Sequence, residues 1–157
     1  MDLFDIKILN IIQRDNRQSA EKIADRVGLS PSAVQRRLKR LRKEGIIEAE
    51  VAIISPEALG RGLTAIVGVI IDKERRLSQA LAEFKKLMLE TPEVMQCYDV
   101  TGEADFIVII TVKDMPEYET VSRKLFIENP NVRRYKTSLV IRRVKTGTMI
   151  PLLTEQT

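Results

Sequence analysis

The sequence has no histidine and only one cysteine, Cys97, among its 157 residues. These absences exclude a Ser/His/Asp triad, a Cys/His pair, and a zinc site with nitrogen or paired sulfur ligands. No nucleophile stands beside a base, and the sequence has no glycine-rich loop for phosphate. We therefore expect no enzymatic activity, no metal and no cofactor, and an enzyme of amino-acid metabolism is the disfavoured class.

Disulfides and long apolar runs are lacking as well. A lone cysteine cannot form an internal disulfide, and the N-terminus opens with charged sequence in place of an apolar signal core. No apolar run approaches the roughly 18 residues that a membrane helix needs. Apolar residues make up 44% and charged residues 31%, a balance typical of globular proteins. We expect a cytoplasmic protein without a membrane partner, built as one domain or two small ones.

The net charge of +4 is concentrated in one short window. Residues 30–45 carry six basic side chains against Glu44 alone, and the rest of the chain is about neutral. The six are Arg36, Arg37, Lys39, Arg40, Arg42 and Lys43. A basic cluster of this kind favours a nucleic-acid partner.

Three amphipathic helices are predicted in the first third of the chain. The spacing of apolar residues indicates the first from about Leu3 to Asp15. Ser19 can cap the second, which Gly28 ends, and Ser30 can cap the third, which runs to position 45. Only three residues separate the second and third helices, so they form a tight helix-turn-helix, a winged-helix-like DNA-binding domain over residues 1–47.

The third helix has an apolar back and a basic front. Val34, Leu38 and Leu41 form the buried stripe, and the opposite side offers groups that bind guanine, adenine or phosphate in a DNA duplex. The alternative is a basic face that is merely solvated. The agreement of turn, caps, stripe and charge favours double-stranded DNA as the partner. The predicted DNA-binding residues are Ser30, Ser32, Gln35, Arg36, Arg37, Lys39 and Arg40.

The remaining sequence predicts an extended linker at 48–62 and a ferredoxin-like βαββαβ domain at 63–157, so the fold class is α+β. Strands are indicated at Leu63–Ile71, Val94–Val100, Phe106–Val112 and Val132–Val144, with a helix after the first and the third. Residues 90–94 are echoed 38 positions later, where a proline again ends a helix before a valine. Both helices should cover the same face of the sheet.

The inner strands are apolar on both sides. Residues 106–110 show no polar alternation, and neither do residues 66–71. A sheet face left open by the helices would then expose an apolar patch, which normally marks a partner surface. We expect a homodimer formed sheet to sheet, which would present two recognition helices to two DNA half-sites.

Several motifs occur in order along the chain. They read D-x-x-D-x-x-I-L from Asp2, V-G-L-S-x-S from Val27 and G-x-x-D-[FY] from Gly102, and Thr137 stands in the last strand. This ordered set resembles the Lrp/AsnC family, the leucine-responsive and asparagine-responsive transcription regulators, over almost the whole chain. The resemblance implies a DNA-binding domain, a linker, and a regulatory domain that dimerises and assembles further into tetramers or octamers.

The resemblance also implies an amino-acid-like effector, bound between regulatory domains near the G-x-x-D-[FY] turn. Gly102 would free backbone amides for a carboxylate, and Asp105 would receive an ammonium group. The alternative is that both residues only form a hairpin turn. Tyr135 stands where other members carry Thr or Ser, so its phenol would narrow or redirect the site. The implied effector-binding residues are Tyr98, Thr101, Gly102, Glu103, Asp105, Tyr135 and Thr137.

The expected function is a sequence-specific DNA-binding transcriptional regulator whose DNA binding or oligomeric state responds to an amino acid or related small molecule. The alternative is an architectural, nucleoid-associated protein that coats DNA with little sequence preference. A steep salt dependence and a small ratio of specific to non-specific affinity would mark the second function.

Overall fold

The computed structural model describes residues 1–72, 74 and 77–152, and it divides into two compact units. The first unit combines Met1–Ile53 with the segment from Lys145 onward, and the second is Ile54–Val144. The sequence-based boundaries placed that last segment in the regulatory domain. It groups with the first unit because the amide of Gln13 hydrogen-bonds both the N–H (2.6 Å) and the C=O (3.2 Å) of Ile150. Asn10 adds a bond to the carbonyl of Leu152 at 3.1 Å.

Three helices build the first unit: α1 (Leu3–Ile12), α2 (Ala20–Val27) and α3 (Pro31–Lys43). The predicted extension of the first helix to Asp15 is wrong by three residues. The Asp15 carboxylate accepts the backbone N–H of Arg17, a local turn that competes with the helix. Gly28 ends α2 as predicted, in a left-handed conformation with φ of +75°.

The core of the first unit is formed where the three apolar stripes meet. Val34, Leu38 and Leu41 are buried on the back of α3, as the sequence predicts. Val34 and Leu38 pack with α1 and α2 around Ile8 and Ile23, whose exposed fractions are 0% and 1%. Burial of each such side chain stabilises the unit by about 1.5–3 kcal/mol. The same packing fixes which face of α3 remains outside.

The second unit confirms the βαββαβ prediction. Its elements are β1 (Leu63–Ile71), α4 (Leu77–Glu90), β2 (Val94–Asp99), β3 (Phe106–Val112), α5 (Met115–Ser122), a π-helical turn (Arg123–Ile127) and β4 (Val132–Leu139). The antiparallel strands lie in the order β2-β3-β1-β4. β4 is shorter than predicted because its neighbour β1 begins at Leu63, so the chain beyond position 140 has no strand to pair with.

The two sheet faces differ in their cover. On the helix side, Val67, Val69 and Val108 are fully buried beneath Phe84 of α4 and Phe126 of the π-helical turn. The opposite face of the unit carries isoleucines that are half-buried or exposed: Ile66, Ile70, Ile107 and Ile109. The prediction that the inner strands are apolar on both sides is therefore confirmed, and the second face has no helix over it among the described residues.

Candidate DNA-binding helix and effector turn

The start of α3 is fixed by its own first residues. The Ser30 hydroxyl accepts the backbone N–H of Ala33 at 3.3 Å and shares a hydrogen bond with the Ser32 hydroxyl at 3.1 Å. Pro31 occupies the first turn, where an N–H would have no partner in the helix. Ser30 and Ser32 are both exposed, so this end of α3 presents hydroxyls and a positive helix terminus suited to a phosphate oxygen.

The exposed face of α3 lies opposite its buried stripe. Gln35, Arg36, Lys39 and Lys43 point outward from it, and within the part of the chain that the structure describes Arg36 and Lys39 form no ion pair. All four side chains are exposed, and the first three belong to the predicted DNA-binding residues. Lys43 was not among the predicted residues, although it stands on the same side one turn after Lys39.

Arg37 and Arg40, by contrast, point toward α1. Arg37 Nη1 lies 2.7 Å from Asp2 Oδ2 and 2.8 Å from Asp5 Oδ1, and its guanidinium also lies 5.5 Å from the centre of the Phe4 ring. Arg40 Nη2 lies 2.5 Å from Asp5 Oδ2. The sequence grouped these two arginines with the outward residues Gln35, Arg36 and Lys39. The structure separates them from that group, because their donors are already bound to carboxylates.

Asp5 is the centre of this cluster, and it is completely buried. It forms a reciprocal cap with Asp2 at the start of α1, each backbone N–H donating to the other carboxylate at 2.9 Å. Burial by itself raises the pKa of the Asp5 carboxyl. The hydrogen bonds from Asp2, Arg37 and Arg40 outweigh burial and lower the pKa from 3.8 to about 2. The carboxylate therefore stays charged at neutral pH.

Sequence reasoning missed the role of Asp5. The signal was an acidic residue three positions before Ile8, on the same face as the apolar stripe of α1. A charged side chain on a buried face requires a partner of opposite charge. The cluster occupies that face with two arginines of α3.

The β2–β3 turn holds four of the seven implied effector residues. Thr101, Gly102 and Glu103 are exposed, and Gly102 has a φ of +127° that favours glycine. The Asp105 backbone N–H donates to the carbonyl of Val69 at 2.9 Å, and its carboxylate accepts the N–H of Ile71 at 2.8 Å. Asp105 thus joins β3 to the end of β1, in agreement with the turn interpretation.

Tyr98 and Tyr135 lie on opposite faces of the sheet. Tyr98 pairs with Ile107 on the face without helices and is 50% exposed. Tyr135 pairs with Val69 on the helix side, where it stacks on Phe126 with ring centres 5.1 Å apart. Tyr135 lies on the helix side of β4, and β1 separates this strand from β3 and the β2–β3 turn.

Thr137 is also on the helix side. Its hydroxyl shares a hydrogen bond with the Tyr118 hydroxyl of α5, and it pairs with the buried Val67. Burial raises the pKa of Tyr118, so its hydroxyl stays protonated. Thr137 therefore has a structural partner beneath α5 and does not face the turn.

A cavity of about 380 Å³ opens between α4 and β2, on the helix side of the edge strand. Met88, Val94 and Phe106 line its apolar part, and an ion pair of 2.6 Å between Lys85 and Asp99 lies at its polar end. None of the seven implied effector residues lines this cavity. Cys97 also borders it, and burial raises the pKa of its thiol.

The residues that the structure describes form neither a metal-binding cluster nor a membrane-spanning helix. No group of three or more His, Cys, Asp and Glu side chains in these residues is arranged to hold a metal ion. Within the same residues, every helix is too short or too polar to cross a membrane.

The chain matches two known domain families. A family model described as "Lrp/AsnC ligand binding domain" matches residues 64–150, and one described as "Winged helix-turn-helix DNA-binding" matches residues 1–48. The first match covers the elements of the βαββαβ domain, and the second covers the three helices of the first unit.

Relatives cover nearly the whole length. An uncharacterized HTH-type transcriptional regulator of Sinorhizobium fredii is 49% identical over 97% of this chain and 89% of that protein. The DNA-binding transcriptional activator DecR of Escherichia coli is 31% identical, over 97% of this chain and 99% of that protein. A solved complex of a Neisseria meningitidis transcriptional regulator with L-Met has a TM-score of 0.88 at 32% identity and covers 97% of each chain. The chain belongs to the Lrp/AsnC family of DNA-binding transcriptional regulators.

Proposed function

We propose that this regulator binds specific DNA sequences through the exposed face of α3 and that an amino acid modulates this binding. The observation that carries the proposal is the exposure of one side of α3, a capped helix whose other side is buried. This exposed side carries Ser32, Gln35, Arg36 and Lys39. Their chemistry matches the donor and acceptor groups of the major groove.

The base-reading positions are Gln35 and Arg36, and Lys39 binds the phosphate backbone. A glutamine amide pairs with adenine, and a guanidinium pairs with guanine through two hydrogen bonds. Ser30 and Ser32 place the helix N-terminus against a phosphate. Arg37 and Arg40, which the sequence assigned to DNA, instead hold α3 against α1.

The proposed effector is an amino acid that binds at the β2–β3 turn. The solved relative from Neisseria meningitidis is a complex with L-Met, which supports this class of ligand. In this chain Thr101 and Glu103 are exposed there, and Tyr98 is exposed on the adjoining open face of β2, so one copy offers only an open surface. A second copy of the chain would close the site, and binding of the ligand would then depend on how the copies assemble. Tyr135 and Thr137 are not part of the proposed site.

The proposed dimer joins two sheets by their open faces. The dimer would then remove from solvent the half-buried or exposed isoleucines of this face, Ile66, Ile70, Ile107 and Ile109. A two-fold pair of this kind presents two α3 helices to a palindromic site. Tetramers or octamers of such dimers would provide the closed effector site.

Selection of genomic DNA fragments by the purified protein tests the proposal. The selection is run with and without a pool of the twenty amino acids. We expect a roughly palindromic motif whose occupancy changes with the pool, and subdividing the pool names the effector. Binding without a motif and without response to the pool would support an architectural role instead.

A further inference from the structure

The outward and inward arginines of α3 differ in what their donors already bind. A guanidinium uses the same planar donors for a carboxylate and for a phosphate. Arg37 is bound to two carboxylates, and Arg40 is bound to one. The donors that each arginine could offer to a DNA phosphate are therefore already bound to a carboxylate of the protein itself.

Releasing these arginines is unfavourable. The carboxylate of Asp5 is fully buried, so removing its partners would leave an uncompensated charge inside the unit. Arg37 is itself largely covered, with 22% of its side chain exposed. Arg40 is more open at 44%, but its Nε also faces Glu44 at 3.8 Å. DNA phosphates must compete with these bonds to recruit either side chain.

The cluster also fixes the rotation of α3. Arg37 and Arg40 lie three positions apart on the helix and converge on the two oxygens of one carboxylate. Asp5 is held in turn by the cap at the start of α1. This anchoring leaves Arg36 and Lys39 on the free side, and a turn of α3 about its axis would break at least one of the two contacts.

We propose that Asp5 is a specificity-determining positioning residue, which holds Arg37 and Arg40 away from DNA phosphates so that the outward residues of α3 decide where the protein binds. This inference rests on the proposed function. Phosphate contacts supply most of the affinity for unrelated DNA, whereas base contacts distinguish one sequence from another. Arginines released from Asp5 would add phosphate contacts to every duplex, and α3 would lose the anchor that holds its base-reading side chains in one orientation. With the anchor in place, the base contacts keep their full strength while fewer phosphate contacts form. The ratio of specific to non-specific affinity rises as a result.

Salt titrations of the full chain test the inference. Affinity is measured by fluorescence anisotropy at several salt concentrations, for a duplex with the selected motif and for one of unrelated sequence. In Asp5→Asn the side chain is a neutral amide, which does not hold two guanidinium groups as the carboxylate anion does. We expect the slope of log K against log salt to steepen by about 1–2, since each phosphate contact contributes about 0.9. The ratio of the affinities for the two duplexes should fall about tenfold, as for the weakening of one two-bond base contact when α3 is no longer anchored.

The matched control is Ile8→Val, a conservative loss in the neighbouring core that leaves all charges in place. It should keep the wild-type slope and ratio even where it unfolds more easily. If Asp5→Asn behaves like this control, with stability alone reduced, Asp5 has only a structural role and the inference is overturned.

Two further variants decide the matter if Asp5→Asn does not fold. Arg37→Gln and Arg40→Gln each remove one cation, and both should retain the wild-type salt slope because neither arginine meets phosphate. A slope reduced by about 0.9 in either variant would show a phosphate contact and overturn the inference. Failure of the proposed function is distinct, because the wild-type protein would then select no motif at all.

Discussion

The hydroxyl of Tyr118 on α5 and the hydroxyl of Thr137 on β4 share a hydrogen bond beneath the helices. This bond places Thr137 on the covered side of the sheet, whereas the β2–β3 turn exposes Thr101 and Gly102. The family resemblance associated all three with one effector site. The hydrogen bond gives Thr137 a structural role instead, since a buried phenol hydroxyl without a hydrogen-bond partner is unfavourable.

We expect Thr137→Val to lower the free energy of unfolding by about 1–2 kcal/mol, because valine keeps the shape but leaves the Tyr118 hydroxyl unsatisfied. The amino-acid response of DNA binding should remain unchanged. Denaturant unfolding and DNA titrations with and without the effector measure the two effects. A variant of normal stability that no longer responds to the amino acid would place Thr137 in the effector site.

The buried Asp5 carboxylate makes stability depend on acid pH. Its folded pKa of about 2 lies below the ordinary value of 3.8, so its contribution is complete above pH 3.8 and is lost as the pH falls toward 2. At 1.36 kcal/mol per pKa unit, this contribution is about 2 kcal/mol.

Asp5→Asn removes that titration. Between pH 5 and pH 2.5, the variant should therefore lose less stability than the wild type, by an amount approaching 2 kcal/mol. Helix content during denaturant unfolding measures the first unit at each pH. If the free energy of unfolding falls equally in the two proteins over this pH range, the pKa of Asp5 is not lowered in the folded state.

Arg36 is the outward arginine of α3. Its replacement in Arg36→Ala should weaken binding to the selected duplex by about 1–3 kcal/mol, as expected for the loss of a two-bond contact to guanine. Anisotropy titrations at one salt concentration measure this change. Lys86→Ala is the matched control, because it removes one positive charge from an exposed position on α4. If the two variants weaken binding equally, Arg36 contributes only positive charge and does not contact a base.

The open sheet face provides a test of the proposed dimer. Ile66 is 39% exposed, so Ile66→Glu should be tolerated by a single copy but should introduce a charge into a sheet-to-sheet interface. We expect sedimentation velocity to show smaller species and DNA affinity to fall. Leu89→Glu makes the same change at a position of α4 that is 88% exposed, and it should leave the assembly intact. An unchanged assembly in Ile66→Glu would exclude this face as the interface.

The sequence predicted the elements well because their signals are local. Caps at Ser19 and Ser30, the glycine after α2 and the apolar stripes fix helices without reference to distant residues. The repeated exit from helix to strand and the apolar strands were enough to predict the βαββαβ order. Strand ends were less accurate, because they depend on where the neighbouring strand begins.

The site was harder to predict because its side chains are placed by packing. Helical spacing puts Arg37 at the border of the buried stripe of α3, and only the approach of α1 decides that it turns inward to Asp5. Alternation along β4 predicts that Tyr135 and Thr137 share a face, but pairing with β1 decides that this face lies under the helices. The docking of Ile150 on Gln13 depends on a contact 137 positions apart.

The most direct test of sequence reading by α3 compares the DNA sequences selected by the wild-type protein and by Arg36→Ala under identical conditions. If the outward face of α3 reads bases, both proteins will enrich the same motif, and the variant will lose its preference at one base pair in each half-site. Identical motifs with unchanged preference at every position, or no motif for either protein, would contradict sequence reading by α3.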